Sequence, residues 1–393
     1  MTKSLQICGD SSYGGGGYLL IRWCEYLLSR GWQVDVLATH PMVVAELARI
    51  PGLRLIESIY IPRDIAPIRD VQAFIQLLVL LHRQSYDVVH TYTATPSFLG
   101  RVVARLVGVP VILHHQAGWT VTDFSSPLER MLYTPLEYLA TLASTKSICV
   151  SRAVAQQAGQ LHIAPANKLV TICNGIEPAP FIAATKNGAG QAYRHRSGIP
   201  SDHLLIGNTG RLAPQKDNDT LIRAMVCLKS LIGSGSFILL LAGDGPDRQK
   251  LEDLVHSLGL RRQVRFLGFC REIPAFLAGL DVFVSPSFRE GLSISLLEAM
   301  AAARPIVTTS ILPNAELIEH EVTGLLVPPR DPEQVAEAIA RFAREPELAQ
   351  RCALAARQRV LDHYTLDRMF EETWNLYISL LREMQPDEAR VYE

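Results

Sequence analysis

Short apolar runs recur along the chain, each followed by a polar or glycine-rich break and then by a longer segment with apolar residues at helical spacing. In the first half the runs are Leu5–Cys8, Val34–Leu37, Val88–Val89, Val111–Leu113, Ile148–Ser151 and Val170–Cys173. Their length and flanking breaks predict buried strands, and the spacing between them predicts helices over Tyr18–Ser29, Val71–Gln84 and Ser97–Leu106. The pattern restarts at Leu204–Gly207 and continues through Ile238–Ala242, Val264–Gly268, Val282–Val284 and Ile306–Thr308. Strand and helix alternate in both halves, so each half is predicted to be a parallel sheet covered by helices on both faces. The chain divides accordingly into a domain over 1–175, a small-residue linker and loop over 176–198, a domain over 199–365, and a last helix and tail over 366–393. Pro127–Thr145 is a long apolar helix carrying Glu129, Arg130 and Glu137. It is read as a core helix, with a surface facing a membrane or an acceptor as the alternative.

Composition narrows the class. With 48% apolar and 20% charged residues among 393, the chain is globular and long enough for two cores. Residues 1–175 carry 14 Lys and Arg against 11 Asp and Glu, an imbalance too small to name a partner, and nothing points to nucleic acid. Seven scattered cysteines without a Cys-x-x-Cys pair suggest reduced thiols and a cytoplasmic setting. The start of the chain enters a strand without a charged-then-apolar leader. The longest apolar run, Phe74–Leu81, is far short of the roughly 20 residues of a membrane span.

Candidate chemistry collects where strands end, because parallel sheets of this kind bind ligands beyond their carboxyl ends. After Val282–Val284 the chain turns at Glu290-Gly291 and opens a helix near Ser293, a residue suited to the N-cap. A glycine turn at a helix N-terminus offers unpaired N–H groups to a phosphate. Glu290 stands in that turn and Glu298 inside the first turns of an otherwise apolar helix, where a carboxylate needs a partner. Hydroxyls of a sugar or ribose would serve; so would an arginine. Gly14 to Gly17 follow the first strand and allow close approach of a ligand or form a flexible loop; they do not fit Gly-x-Gly-x-x-Gly. His90, His114 and His115 lie at strand ends. Asp217-Asn218-Asp219 has the spacing of a metal motif, but its place before Thr220-Leu221-Ile222 favours helix capping, so no metal is expected.

These motifs carry a resemblance. Glu290, seven residues, then Glu298, set in Pro-Ser-x-x-Glu-Gly and followed by Leu-Glu-Ala-Met-Ala, resembles the Glu-x7-Glu signature of retaining glycosyltransferases of family GT4. Gly210-Arg211-Leu212 with Lys216 is similar to the family's Gly-Arg-Leu-x-x-x-Lys element. Arg63-Asp64-Ile65-Ala66-Pro67, Asp87 to Thr91 and Gly118-Trp119 resemble the members that build capsular polysaccharides and exopolysaccharides. Asn174-Gly175-Ile176-Glu177 resembles the interdomain turn. The likeness covers nearly the whole chain. It departs at Ser293, where a second glycine is usual, and at Ala117, where a histidine lines the reaction centre.

The resemblance implies a GT-B fold: two doubly wound Rossmann-like domains facing a central cleft, with a C-terminal helix, Leu366–Arg382, crossing back to the first domain. It implies retaining transfer of a sugar from a nucleotide sugar, a UDP-sugar being favoured, to a glycan, lipid-linked or small-molecule acceptor. The donor is then a co-substrate and no further cofactor is implied. Arg211 and Lys216 would hold the diphosphate, Glu290 the sugar and Glu298 the ribose. Gly291, Leu292 and Ser293 would contribute turn amides, Gly15 and Gly16 would close over the phosphates, and Gly210, Gly243 and Gly268 would border the donor. The catalytic imidazole would be His114, with His115 the other candidate. Rival readings are a nucleotide-sugar 2-epimerase of the same fold, which would need carboxylates in the first domain, and a silent sugar-nucleotide-binding module. The expected setting is the cytoplasm at the inner face of a membrane, with peripheral contact through the first domain.

Overall fold

The computed structural model describes residues 1–9, 14–62, 66–121, 125–232 and 237–384. The readings that fall on Asp10 to Tyr13 and on Arg63 to Ile65 lie outside the described residues. Two compact units emerge, one formed by Met1–Cys173 with Met369–Glu393, the other by Asn174–Arg368.

The first unit is built on seven parallel strands: β1 Lys3–Gly9, β2 Gln33–Ala38, β3 Arg54–Ile56, β4 Val88–Tyr92, β5 Val111–Gln116, β6 Lys146–Cys149 and β7 Leu169–Thr171, in the order β3-β2-β1-β4-β5-β6-β7. The second has six: β8 Leu204–Thr209, β9 Phe237–Ala242, β10 Val264–Gly268, β11 Val282–Ser285, β12 Ile306–Thr309 and β13 Leu325–Val327, in the order β10-β9-β8-β11-β12-β13. All pairings between these strands are parallel. The strand order reverses between β1 and β4 and again between β8 and β11. Chains leave these neighbours in opposite directions, which opens a crevice at each switch point. Leu5, Ile7 and Leu77 anchor the first core; Leu239, Val284 and Ile339 the second.

Three expectations change. Residues 176–198 are not a loop but contain the helices Ala179–Lys186 and Ala189–Arg196, which pack on the helix Ile273–Gly279. A Cβ on Gly190 would lie 2.4 Å from the Ala278 backbone, so the glycine there serves close helix packing and not flexibility. Gly15 and Gly16 belong to the first turn of the helix Gly15–Ser29, drawn into it by the buried Leu19, Leu20, Trp23 and Cys24. Glycine's poor helix propensity is overridden by packing. The helix Pro127–Ala143, expected in the core, exposes most of its apolar side chains, Met131 at 71% among them.

The last helix, Leu366–Met384, joins the first unit from residue 369 on. Its fully buried Tyr377 receives the Trp23 indole N–H at 3.3 Å and meets His90 Nδ1 at 2.8 Å. Arg30 and Tyr26 reach its Glu371 at 2.6 and 2.8 Å.

Candidate functional site

In the second unit the chemistry gathers at the β8/β11 switch point. Beyond β8 the chain runs through Gly210-Arg211-Leu212 into the short 3-10 turn Pro214–Lys216; beyond β11 it runs through Pro286 to Glu290. The Phe288 N–H donates to the Gln215 carbonyl at 3.1 Å and ties the two loops together. Lys216 Nζ thereby meets Glu290 Oε1 at 2.5 Å, with side chains only 20% and 10% exposed. Gly210 lies against the Lys216 stem, 3.7 Å from where a Cβ would stand. Arg211 shares this loop but is exposed and makes no hydrogen bond or ion pair among the described residues.

The helix Ile294–Ala301 starts as the sequence suggests. Ser293 is its N-cap, its hydroxyl accepting from Leu296 N–H at 3.4 Å. Among the described residues the N–H groups of Leu292 and Ser293 donate to no protein acceptor, although both side chains are buried. Gly291 precedes them in the turn. Unpaired amides at a helix N-terminus are suited to an anion. One turn further in, the Glu298 carboxyl makes no hydrogen bond or ion pair among the described residues, so the arginine partner weighed above is absent there. Burial pushes its carboxyl up from 4.5 to about 7.

The glycines at the neighbouring strand ends are held by the fold itself. Gly243 has φ +153°, and a Cβ on it would lie 1.8 Å from the Gly210 carbonyl oxygen; Gly210 N–H in turn donates to Ala242 O at 3.0 Å. The loops after β8 and β9 therefore interlock backbone to backbone, and Gly243 is required by the fold itself. Gly268 has φ +67° and bridges to Gly243, extending the same edge. Asp217 accepts the Thr220 hydroxyl at 2.8 Å and Asp219 pairs with Lys250 at 2.9 Å. Asp217 thus engages Thr220 in the first turn through both its hydroxyl and its backbone N–H, as a cap does.

Two bracing residues were not legible as functional. Asn208 Nδ2 donates to Val284 O at 2.7 Å, stitching β8 to β11. Asn314 Nδ2 donates to Thr308 and Thr309 at 3.0 and 2.9 Å, and those hydroxyls donate to the carbonyls of Ser285 and Ser287 beneath the glutamate turn. A buried Asn in Pro-Asn-Ala-Glu was the available signal, since a buried amide must find partners. Arg330, at φ +61°, stacks 4.4 Å over the Phe288 ring of that turn.

In the first unit the histidines separate by strand alternation. Thr91 and His114 are paired across β4 and β5. His114 Nδ1 meets Ser97 Oγ at 2.8 Å and Thr91 O at 3.0 Å, and burial, then Arg101, hold it far below the usual imidazole range. His114 is thus engaged on the face covered by the helix Ala94–Val107, and its assignment as the open catalytic imidazole is not supported by its position. His115 points to the opposite face. With Gly16, His90 and Tyr92 it lines a small cleft closed by Trp23 and by Met369 and Thr373 of the last helix. The His90 Nε2 is buried without a partner among the described residues.

The fold of two doubly wound domains, one with a carboxylate–ammonium pair and, among the described residues, unpaired helix-start amides at its switch point, is matched among known proteins by GT-B glycosyltransferases. Residues 13–179 match the family described as Glycosyltransferase Family 4, and residues 191–359 match Glycosyl transferases group 1. An uncharacterised glycosyltransferase of Methanocaldococcus jannaschii is 31% identical over 76% of this chain and 77% of its own length. The chain belongs to this glycosyltransferase family. The Escherichia coli UDP-Gal:alpha-D-GlcNAc-diphosphoundecaprenol alpha-1,3-galactosyltransferase is 26% identical over 83% of the chain and 84% of its own length. Among solved structures, the Anabaena protein HepE in complex with UDP-glucose superposes with a TM-score of 0.83 at 20% identity, covering 96% of this chain and all of that one.

Proposed function

We propose that this glycosyltransferase takes a UDP-sugar as donor and transfers the sugar, with retention of anomeric configuration, to a glycan or lipid-linked acceptor at a membrane surface. The observation that carries the reading is the half-buried Lys216–Glu290 pair standing beside the Leu292 and Ser293 amides and, one helical turn away, the Glu298 carboxyl, all three without a protein partner among the described residues. In the reaction the bond between the anomeric carbon and the diphosphate oxygen breaks, and that oxygen leaves with the electron pair. Lys216, Arg211 and the helix-start amides neutralise the charge that develops there, which stabilises the transition state more than the ground state. Glu290 accepts from a sugar hydroxyl and Glu298 from the ribose hydroxyls, as charge-assisted hydrogen bonds. The acceptor hydroxyl forms the new bond on the same face and its proton passes to the departing phosphate. Charge neutralisation by Arg211 and Lys216 makes a metal ion unnecessary, and the engagement of Asp217 and Asp219 by Thr220 and Lys250 supports this.

Transfer is favoured over 2-epimerisation because the described lining of the first-unit cleft offers aromatic, imidazole, aliphatic and hydroxyl groups but no carboxylate. The UDP-sugar and the lipid diphosphate are suggested by the Escherichia coli relative's name and by the UDP-glucose in the HepE complex. Among the described residues no helix is long and apolar enough to cross a membrane. The lipid-linked acceptor of the Escherichia coli relative supports contact with such an acceptor at a membrane surface. The test is incubation with UDP-glucose or UDP-galactose and a synthetic lipid-diphosphate sugar, with and without EDTA. Expected are release of UDP that EDTA leaves unchanged and a product whose anomeric NMR coupling matches that of the donor. An inverted product, an altered sugar nucleotide without acceptor, or no UDP at all would each overturn the proposal.

A further inference from the structure

The helices Pro67–Arg83, Ala94–Val107 and Pro127–Ala143 lie side by side as one layer over a face of the first sheet. The two outer members turn apolar ridges to solvent. On Pro67–Arg83 the ridge is Ile68, Val71, Ile75 and Val79, at helical spacing, with Ile68 78% exposed. On Pro127–Ala143 it is Leu128, Met131, Leu132, Leu136 and Leu139, with Leu128 69% exposed. Single exposed apolar residues are ordinary, but two such ridges on one helical layer are not.

The helices of the layer carry five arginines against three carboxylates, a positive excess. Its carboxylates are Asp70, Glu129 and Glu137, and each is occupied locally: Asp70 by the Ala66 N–H at 2.9 Å, Glu129 by the Ser126 N–H at 2.7 Å, and Glu137 by the Thr120 hydroxyl at 2.7 Å. Arg101 is buried and Arg130 donates to the Ser125 carbonyl at 3.2 Å; the exposed guanidinium groups are toward the helix ends. Arg69 lies 5.6 Å from the centre of the exposed Tyr60 ring, and Arg83 and Arg105 are exposed at the helix C-termini. Lys146 and Lys168 follow nearby, Lys168 Nζ donating to Ser144 O at 2.8 Å just beyond the end of Pro127–Ala143. Arg105 and Lys146 crowd Lys168 closely enough to lower its ammonium further after burial has done so. Apolar ridges whose carboxylates are engaged and whose ends bear guanidinium and ammonium groups complement a surface that is apolar inside and negative at its rim.

We propose that this three-helix layer docks the protein on an anionic lipid bilayer, the ridges entering the acyl boundary and Arg69, Arg83, Arg105, Lys146 and Lys168 meeting lipid phosphates. The proposal rests on the membrane acceptor suggested above and names the surface that would serve it.

The full chain is mixed with vesicles of phosphatidylcholine alone or of phosphatidylcholine with phosphatidylglycerol and sedimented at low and high salt. Binding is expected to the anionic vesicles, weakened by salt. Ile75→Glu with Leu132→Glu, two exposed positions, should abolish it while leaving the UDP-dependent thermal shift in place. Arg83→Ala and Arg105→Ala should each lower the partition constant about fivefold. Equal binding to neutral vesicles, or undiminished binding of the double variant, overturns the proposal. So does a wild-type dimer in size exclusion that the double variant makes monomeric without either binding vesicles, which would identify the layer as a contact between copies. UDP release with a water-soluble acceptor is followed in parallel. Vesicle binding without turnover sinks the proposed activity alone, and turnover without vesicle binding sinks the docking surface alone.

Discussion

Replacing Glu298 by Gln tests the donor site through a property that is measurable without knowing the acceptor. The wild-type carboxyl is held at about 7 instead of 4.5 because burial disfavours its charge and, among the described residues, no protein group compensates. The folded state therefore binds this proton more tightly than the unfolded state, and stability falls as the pH rises from the ordinary value through about 7. Full ionisation costs about 3 kcal/mol, of which about 2.5 kcal/mol develops between pH 5 and pH 8. Urea denaturation of the wild type and of Glu298→Gln at the two pH values isolates this contribution, because every other titrating group cancels in the difference. The variant should gain about 2.5 kcal/mol on the wild type between pH 5 and pH 8, and saturating UDP-glucose should stabilise it far less. In the wild type, donor affinity should rise with pH through about 7 as the carboxylate becomes the ribose acceptor, whereas the variant's should stay flat. A pH-independent difference between the two proteins would refute the desolvated carboxylate; normal donor affinity in Glu298→Gln would refute its role toward ribose.

Other perturbations separate fold from chemistry. Lys216→Ala should lower kcat by about 100- to 1,000-fold, as removal of a developing-charge partner does, while the loss of its ion pair with Glu290 changes urea stability by only about 1–3 kcal/mol; equal turnover would remove Lys216 from the site. Gly243→Ala should destabilise the second unit by at least about 2 kcal/mol in urea, since the new methyl meets the Gly210 carbonyl. Gly16→Ala, with nothing within 4 Å of the new Cβ, should raise stability by about 0.5–1 kcal/mol yet raise the donor KM if that helix start approaches the phosphates; an unchanged KM would exclude the approach. Tyr377→Phe removes the hydroxyl between His90 and Trp23 and should cost about 1–2 kcal/mol by thermal or urea unfolding.

Much of this was legible because the relevant signals are local. A short apolar run followed by Glu-Gly and a serine predicts strand, turn and helix start at Ser293, and the strand ends of a parallel sheet mark where chemistry collects. What was not legible depends on facing. The sequence shows two adjacent histidines on one strand, but only the pairing of Thr91 with His114 and the helix bearing Ser97 reveals which is locked away. Pro127–Ala143 reads as core because apolar residues normally seek burial, and nothing in one sequence says that its ridge lacks a partner. Residues 176–198 read as loop because small residues suit both flexibility and tight packing, and Gly190 serves the second. The two roles of a glycine, approach to a ligand and approach to another backbone, are likewise indistinguishable until Gly243 is found against Gly210.

The placement of Tyr377 bears on how the chain is made. The first unit is the earliest to leave the ribosome, yet it is completed only by residues from 369 on, after the whole of 174–368 has been synthesised. Until then the aromatic wall of Trp23 and Trp32 lacks Trp374 and Tyr377, the side chains that later cover it. The nascent N-terminal half is consequently a species with an unfinished apolar surface that waits for its own C-terminus, and expression of that half by itself should yield a protein that depends on chaperones or aggregates.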